Sequence, residues 1–469
     1  MAENQDSLYA DWKKLYPRYQ KGFFRRLKWG LLFLFLGIYY LLPFVRWDRG
    51  VGVPNQAILF DLPARKFYLF DLVIWPQDIF VLAGLLISAA LGLFLMTALA
   101  GRVFCGYICF QTIWTDLYLY VEYLVEGNRK KRVRLDAEPW SAGKLMKKLV
   151  KHTLWLVIAL ATGGAFVFYF ADAPTLFHQF LTATAPFAAW FTLLFLTITT
   201  YTMAGIAREQ VCTYMCPYAR FQGAMFDDNT LIIAYHPEHG EPRESNRRNR
   251  KEMGEAVGEC IDCNACVTVC PTGVDIRQGQ QYECITCGLC IDACDEVAAA
   301  VGMEHRLISY TSLTEMTGRK TRWLRPRTLA YSALILLLLG GMAYYLATRP
   351  PVEMSVIRHR QPIYITLSDG SIQNNFTIRV LNMSPTPRTY ALEVKGLEQS
   401  TLSLAAIDRF DKSGRPLISI QPGKVMPYTA YLKQNKESGG KGAKNITFHL
   451  VDSHETDISD IYDSVFIRP

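Results

Sequence analysis

Five apolar stretches divide the sequence into alternating apolar and polar sections. They lie near residues 27–46, 79–100, 150–171, 185–206 and 328–347. Each has about the 20 residues that an α-helix needs to cross a bilayer. The pattern therefore predicts a multi-domain membrane protein with a transmembrane bundle of about five α-helices in contact with lipid.

Charged residues indicate how these stretches are oriented across the membrane. Clusters of Lys and Arg such as "GNRKKRVR" and "GRKTRWLRPR" occur at one set of helix ends, whereas "ADAPTLFHQFLTAT", between the third and fourth stretches, contains no Lys or Arg. Because basic residues stay on the inner side of a membrane, we expect the amino terminus inside and the carboxyl terminus outside. The net charge of +8 falls largely in these clusters, so no nucleic-acid partner is predicted.

This topology sets the predicted domain boundaries. They are 1–26, an inner amino-terminal segment; 27–206, a four-helix transmembrane region with loops on both sides; 207–327, an inner domain; 328–347, the fifth transmembrane helix; and 350–469, an outer domain. The outer domain contains β-branched and aromatic runs such as "NFTIRVLN" and "NITFHLV", which Gly, Pro, Asn and Ser separate. These runs predict an all-β, immunoglobulin-like sandwich.

All twelve cysteines lie in the inner domain or at inner helix ends, and none lies in the outer domain. A disulfide framework would show the opposite distribution, since disulfides persist in oxidising compartments. The thiols are therefore predicted to be metal ligands or redox groups.

Eight cysteines form two copies of C-x2-C-x2-C-x3-C, in "CIDCNACVTVCP" from residue 260 and "CITCGLCIDAC" from residue 284. In two-cluster ferredoxins the fourth cysteine of such a run binds the other cluster. One [4Fe-4S] cluster is thus assigned to Cys260, Cys263, Cys266 and Cys294, and the second to Cys284, Cys287, Cys290 and Cys270. The alternative, a pair of zinc sites, favours two separated C-x2-C knuckles. An α+β, ferredoxin-like domain with two clusters, acting in electron transport, is predicted.

The other four cysteines form two pairs, Cys105 with Cys109 and Cys212 with Cys216, each after an apolar stretch. Residues four apart on a helix hold their Cβ atoms about 5–6 Å apart, too far for an unstrained disulfide. Two such pairs brought together would give four soft sulfur ligands, which suit Cu(I) or an iron–sulfur cluster. Copper binding, a third cluster, disulfides between the two helices and simple packing of buried thiols all remain open from the spacing.

The sequence has no dinucleotide, haem or nucleotide motif. We therefore expect the electrons to come from another protein.

Several longer blocks of the sequence resemble one family. They include "YPRYQKGFFRRLKW", "AILFDLPARKFYLFDLVIWPQD", "GRVFCGYICFQTIWTD" and "REQVCTYMCPYARFQGAMFD", together with the ferredoxin motif and the terminal sandwich. On these blocks the chain resembles the FixG/CcoG family, the cytochrome c oxidase accessory proteins, which are membrane polyferredoxins. One residue departs from the family's pattern: Phe110 follows the first cysteine pair, where the family has a proline like Pro217.

The resemblance implies a multi-pass protein of the bacterial inner membrane, with a cytoplasmic amino terminus and a periplasmic carboxyl-terminal domain. It implies a cupric reductase that converts Cu(II) to Cu(I) for assembly of the cbb-type oxidase. The catalytic and copper-binding residues would be Cys105, Cys109, Cys212 and Cys216. The partners would be a cytoplasmic electron-donor protein and a copper chaperone or cbb-type oxidase assembly factors.

Two other functions fit the same residues. One is an electron-transfer subunit of a quinol or quinone oxidoreductase, and the other is an assembly scaffold whose clusters sense redox state. The oligomeric state, including a homodimer, is left open by the sequence.

Overall fold

A computed structural model describes residues 14–50, 53–245, 257–384, 386–407, 409–435, 442–455 and 457–469. The chain forms two compact units. The first comprises the chain up to Val45 and Gln56–Gly341, and the second comprises Arg46–Asn55 and Met342–Pro469. Each unit is described by itself below.

The described helices, numbered in chain order, are α1 (Phe23–Leu41), α2 (Ile79–Ala100), α3 (Val103–Tyr107), α4 (Phe110–Glu126), α5 (Arg129–Ala137), α6 (Ala142–Phe168), α7 (Ala173–Leu181), α8 (Phe187–Thr200), α9 (Pro217–Met225), α10 (Pro237–Gly240), α11 (Ala265–Val269), α12 (Leu289–Val301), α13 (Leu313–Met316) and α14 (Pro326–Thr348). Within the described residues, five helical segments are long and apolar enough to cross a membrane. They contain α1, α2, α6, α8 and α14, and the segment of α8 continues through a π-helical turn to Ala207. The predicted bundle of about five apolar helices is confirmed.

The third of these helices begins earlier than the apolar pattern predicted. We expected a start near residue 150, but α6 begins at Ala142, where the Ser141 hydroxyl accepts a hydrogen bond from the Lys144 N–H. The first turns carry Lys144 and Lys151, which are buried because they pair with polar groups of the protein. In the sequence, these buried lysines look like polar residues outside the helix. The apolar stretch is therefore shorter than the helix that contains it.

The strands are β1 (Ile58–Asp61), β2 (Lys66–Leu69), β3 (Leu72–Ile74), β4 (Ile232–Tyr235), β5 (Ile308–Thr311), β6 (Val352–Arg358), β7 (Ile365–Thr366), β8 (Ile372–Asn382), β9 (Arg388–Lys395), β10 (Ser400–Leu404), β11 (Leu417–Ile420), β12 (Val425–Gln434), β13 (Gly442–Asp452) and β14 (Ser459–Arg468). In the first unit, β1–β3 form a small antiparallel sheet in the segment between α1 and α2, and β4 pairs with β5.

The second unit is a sandwich of two antiparallel sheets. One sheet has the order β10-β12-β8-β6, with β7 also paired to β8, and the other has the order β11-β9-β13-β14. Alternate residues of these strands point inward, and the rings of Phe376 and Phe448 meet edge to face at 5.1 Å in the core between the sheets. The predicted immunoglobulin-like domain is confirmed.

The part of the first unit that contains the two cysteine runs, from Cys260 to Cys294, is called the ferredoxin part below. It packs against the amino-terminal end of α1. The carboxylate of Asp292, on α12, accepts hydrogen bonds from the backbone N–H groups of Phe24 and Arg25 at 3.1 and 2.8 Å. These groups belong to the first turn of α1, which has no capping side chain of its own. The ferredoxin part thereby caps the first membrane-spanning helix.

Candidate redox centre

The eight cysteines of the ferredoxin motif line two cavities. Cys260, Cys263, Cys266 and Cys294 line the first, and Cys270, Cys284, Cys287 and Cys290 line the second, to which Cys266 also contributes. Each cavity thus brings together the four cysteines that the spacing assigned to one cluster. The ligand assignment itself stays a prediction.

Residues with a left-handed backbone conformation let the chain fold closely around these cavities. Asp262 and Asn264, in the first cysteine run, have φ of 48° and 55°, and Gly288, in the second, has φ of 75°. The guanidinium of Arg277 holds the first run in place through ion pairs to Asp262 and Asp275 and a 2.6 Å hydrogen bond to Asn264. Ion pairs and hydrogen bonds of this kind offset the cost of the two left-handed non-glycine residues.

Most of the cysteines of the two cavities are at least partly buried, and Cys263 is the exposed one. Burial raises the pKa of Cys266 to about 11 and those of Cys284 and Cys294 to about 12. Within the described residues, no three His, Cys, Asp or Glu side chains converge on a point where they could hold a single metal ion. A cubane needs no such convergence, because each of its four thiolates binds a different iron. Two apolar cavities with four thiols each therefore fit two [4Fe-4S] clusters.

The two remaining cysteine pairs lie in structurally similar turns. Gly101 and Arg208, each four residues before the first cysteine of its pair, share an unusual conformation, with φ/ψ of 57°/−123° and 43°/−114°. The second cysteine of each pair has an extended backbone and lies directly before a helix. Cys109 precedes α4, and Cys216 precedes α9. The internal repeat is thus present in the backbone, and the bend after Cys109 forms without the proline.

The two copies differ in their surroundings. Tyr107, between the first two cysteines, is buried, and its hydroxyl donates a 2.9 Å hydrogen bond to the backbone oxygen of Cys287. Tyr214, in the matching position of the second copy, is 45% exposed. The first copy therefore packs on the ferredoxin part, whereas the second copy is more open.

The first cysteine pair contacts the loop that lines the second ferredoxin cavity. Cys105 is buried in an apolar cluster that includes Ile285 and Cys287. A Cβ atom on Gly106 would lie 2.7 Å from the Ile285 backbone oxygen and 3.1 Å from the Cys287 Cα atom, so only glycine allows this approach. The guanidinium of Arg102 donates to the backbone oxygen of Cys284 at 3.4 Å. The first cysteine pair and the second ferredoxin cavity are therefore direct neighbours.

The thiols of Cys105, Cys109, Cys212 and Cys216, called the membrane-edge thiols below, are also close to one another. Burial raises the pKa of Cys105 to about 11 and that of Cys212 to about 12, and it raises the pKa of Cys109 as well. In all three cases, negative charge on Cys216 raises the pKa further. The two pairs are therefore near enough to influence each other electrostatically.

Gln222 is a buried residue of this centre that the motif analysis missed. It lies on α9, after the second cysteine pair, and its Oε1 accepts from Arg102 Nε at 3.0 Å and from the Cys105 thiol at 3.2 Å. Its Nε2 lies 3.4 Å from the Thr97 hydroxyl. Gln222 therefore links the two repeats. Its spacing in the sequence carries no motif, so only the fold shows this role.

Three family profiles match the chain. The family described as "4Fe-4S dicluster domain" matches residues 207–313, "4Fe-4S binding domain" matches residues 82–132, and "IG-like fold at C-terminal of FixG" matches residues 342–469. The first covers both ferredoxin cysteine runs and supports two iron–sulfur clusters. The second covers the first membrane-edge cysteine pair.

Three characterised relatives match most of the chain. "Nitrogen fixation protein FixG" of Rhizobium meliloti (strain 1021) is 42% identical, with 96% of this chain and 92% of the relative covered. "Protein RdxB" of Cereibacter sphaeroides is 45% identical, with 95% and 94% covered, and "Protein RdxA" of the same organism is 48% identical, with 83% and 84% covered. With these similarities, five apolar helices, two four-cysteine cavities and a terminal sandwich, the chain belongs to the FixG family of membrane iron–sulfur electron-transfer proteins.

Proposed function

We propose that this protein reduces Cu(II) to Cu(I) at its membrane-edge thiols, for the assembly of a cbb-type cytochrome c oxidase. The observation that carries the proposal is the direct packing of Cys105 and Gly106 against Ile285 and Cys287, the loop of the second ferredoxin cavity. Iron–sulfur clusters, when bound, supply one-electron transfer. Each Cu(II) ion gains one electron, which a separate donor protein loses.

The residues of this chain have distinct tasks in the proposal. Cys105, Cys109, Cys212 and Cys216 hold the copper ion, because soft thiolates favour Cu(I) over harder cations. Among the described residues, no three of these thiols are arranged around one ion. Gln222, through its contacts with Cys105 and Arg102, positions the first thiol.

The proposal also includes a location. The protein would lie in the bacterial inner membrane with a cytoplasmic amino terminus, so that a cytoplasmic donor reaches the ferredoxin part. The sandwich would then be periplasmic, where it would bind a copper chaperone or an oxidase assembly factor.

Replacing Cys105 and Cys216 with alanine tests the copper site. The full-length protein with reduced clusters is mixed with Cu(II), and formation of Cu(I) is followed with a chelator. We expect the rate to fall to that of the buffer alone while the iron content stays unchanged. Tyr214→Phe is a matched control, because it alters an exposed side chain between two of the thiols and leaves all four in place. Copper reduction at the original rate in the double variant would refute the assigned site.

A third iron–sulfur cluster at the same four cysteines is the second candidate. It is favoured by the match of "4Fe-4S binding domain" to residues 82–132, which contain Cys105 and Cys109. Iron analysis of anaerobically purified protein distinguishes the two, since two clusters contain about eight irons per chain and three contain about twelve.

The other two functions have separate tests. A quinol or quinone oxidoreductase subunit would lose activity when quinone is removed and would not depend on copper. A redox-sensing scaffold would lose its function in cells on deletion of residues 351–469, whereas copper reduction by the purified protein would survive that deletion.

A further inference from the structure

A cavity of roughly 480 Å³ lies beside the first turns of α6, and none of the twelve cysteines is among the residues that line it. Its charged lining consists of Lys14, Lys144, Lys148, Lys151 and Arg208 with Glu122, Asp136 and Glu209. Neither the clusters nor the copper site uses these residues.

Positive charge is in excess around this cavity. The cationic side chains of the cavity and its ion-pair network are six: Lys14, Lys144, Lys148, Lys151, Arg132 and Arg208. The carboxylates are four: Glu122, Glu126, Asp136 and Glu209. Cations therefore exceed carboxylates by two, even with every carboxylate ionised.

The carboxylates are already shared between several cations. Glu122 pairs with Arg208 at 2.5 Å, with Arg132 at 3.2 Å and with Lys151 at 3.5 Å. Glu126 binds both Lys148, at 2.8 Å, and Lys151, at 3.0 Å. The protein's own acids thus leave part of the positive charge without a counter-charge in a partly buried place, which is unfavourable.

Arg208 also has an unused hydrogen-bond donor at the cavity. The residue is 7% exposed, and its Nη1 has no hydrogen-bond partner among the described residues. Its other two nitrogens donate to the Gly205 backbone oxygen at 2.8 Å and to Glu122. A buried guanidinium N–H without an acceptor costs free energy, and the negative charge of an anion in the cavity would offset part of that cost.

The position of the cavity indicates the kind of anion. Lys144, Lys148 and Lys151 lie at helix spacings of four and three, so they share one face at the start of a helix that can cross a membrane. Trp140 and Trp155 line the same cavity, and tryptophan is common at membrane surfaces. Basic pockets between helices at this depth bind the phosphate of lipid headgroups.

We infer that this cavity binds a phosphoryl anion, supplied by the headgroup of an anionic phospholipid or by soluble phosphate. The phosphoryl group is held by the positive charge of Arg208 and of the lysines on the α6 face. The anion completes the charge balance of the network that joins α4, α5 and α6 to the residues following α8.

The test uses the full-length protein with its clusters, stripped of lipid in detergent. Thermal unfolding is measured while phosphatidylglycerol, phosphatidylcholine or inorganic phosphate is added, and native mass spectrometry records bound lipid. Lys148→Gln should weaken binding of the anion about tenfold, the value expected for one lost charged hydrogen bond. Lys147→Gln is the matched control: the neighbouring lysine has the same charge but is exposed and outside the cavity, and should change binding by less than about twofold.

The outcomes separate the two sources of phosphate. A Lys148-dependent response to phosphatidylglycerol but not to phosphate assigns a lipid headgroup, and the converse assigns a soluble anion. If Lys148→Gln fails to fold, Lys14→Gln, at a side chain that is 32% exposed, replaces it. Equal responses of the cavity variant and Lys147→Gln, or stabilisation by a quinone analogue alone, would overturn the inference.

Discussion

At the scale of single residues, Gly106 sets the distance between the first cysteine pair and the ferredoxin loop. We predict that Gly106→Ala pushes the Ile285–Cys287 backbone away, because the new Cβ atom would lie 2.7 Å from the Ile285 oxygen. Overpacking of this kind costs about 1–3 kcal/mol of unfolding free energy. Copper reduction should slow while the cluster absorption spectrum is retained.

Gly92→Ala is the control for this prediction. It lies within α2, and a Cβ atom there would have no atom within 4 Å. Equal rates of copper reduction in the two variants would mean that this close approach is irrelevant to electron delivery.

Asp136 is the residue whose ionisation should be visible in the pH dependence of stability. Burial alone would raise the pKa of Asp136, but hydrogen bonds from Lys14, Lys148 and Tyr16 outweigh it and hold the pKa below the ordinary value of 3.8. A lowered carboxyl pKa stabilises the folded state above the ordinary value, and this contribution is lost as the pH falls through the folded pKa. Asp136→Asn should therefore cost about 1–3 kcal/mol at neutral pH and show a flatter stability curve in acid.

Chemical unfolding at several pH values between neutral and acid measures this effect. Glu138→Gln is the comparison, because that carboxylate is exposed and pairs with Arg134 at the surface. Parallel curves for Asp136→Asn and the wild type would show that the carboxylate is not linked to folding.

At the scale of elements, the two cysteine turns begin and end with similar backbone conformations but have different residues at the start of the following helix. Phe110 is the first residue of α4, and Pro217 is the first residue of α9. Proline suits this position, and Cys109 already has the extended conformation that a following proline requires. We predict that Phe110→Pro folds with full iron content and changes the unfolding free energy by less than about 1 kcal/mol.

The thermal midpoint and the iron content check this prediction. Leu117→Pro, seven residues further into α4, is the matched variant, and it should lose several kcal/mol because proline inside a helix breaks a backbone hydrogen bond. Similar damage from both prolines would show that the bend after Cys109 differs from the one after Cys216.

How far the sequence predicts an element depends on whether its signal is local. The five apolar helices, the sandwich strands and the cysteine spacings are local patterns, and the structure has the corresponding helices, sheets and cavities. The start of α6 at Ala142 and the role of Gln222 depend on partners far along the chain, such as Glu126 and Arg102. Periodicity and spacing carry no information about such partners.

At the scale of the whole first unit, several contacts join the ferredoxin part to the membrane-spanning part, among them two that involve the second cysteine run. One is the contact of Gly106 with the Ile285–Cys287 loop, and the other is the cap that Asp292 provides for α1. Asp292 is 6% exposed and lies between Cys290 and Cys294 in the second cysteine run. These two contacts hold the ferredoxin cavities at a fixed distance from the membrane-edge thiols.

Removing the cap that Asp292 provides should loosen the amino-terminal end of α1. In Asp292→Asn, one acceptor oxygen becomes an N–H2 group that faces the N–H of Phe24 or Arg25, at a cost of about 1–2 kcal/mol. We predict faster amide hydrogen exchange at the start of α1 in the cluster-loaded protein, with an unchanged cluster spectrum. Asp295→Asn is the control, because Asp295 pairs with Arg306 at the surface and should leave exchange in α1 unchanged. If both variants exchange at the wild-type rate, the Asp292 cap is not what holds the start of α1 to the ferredoxin part.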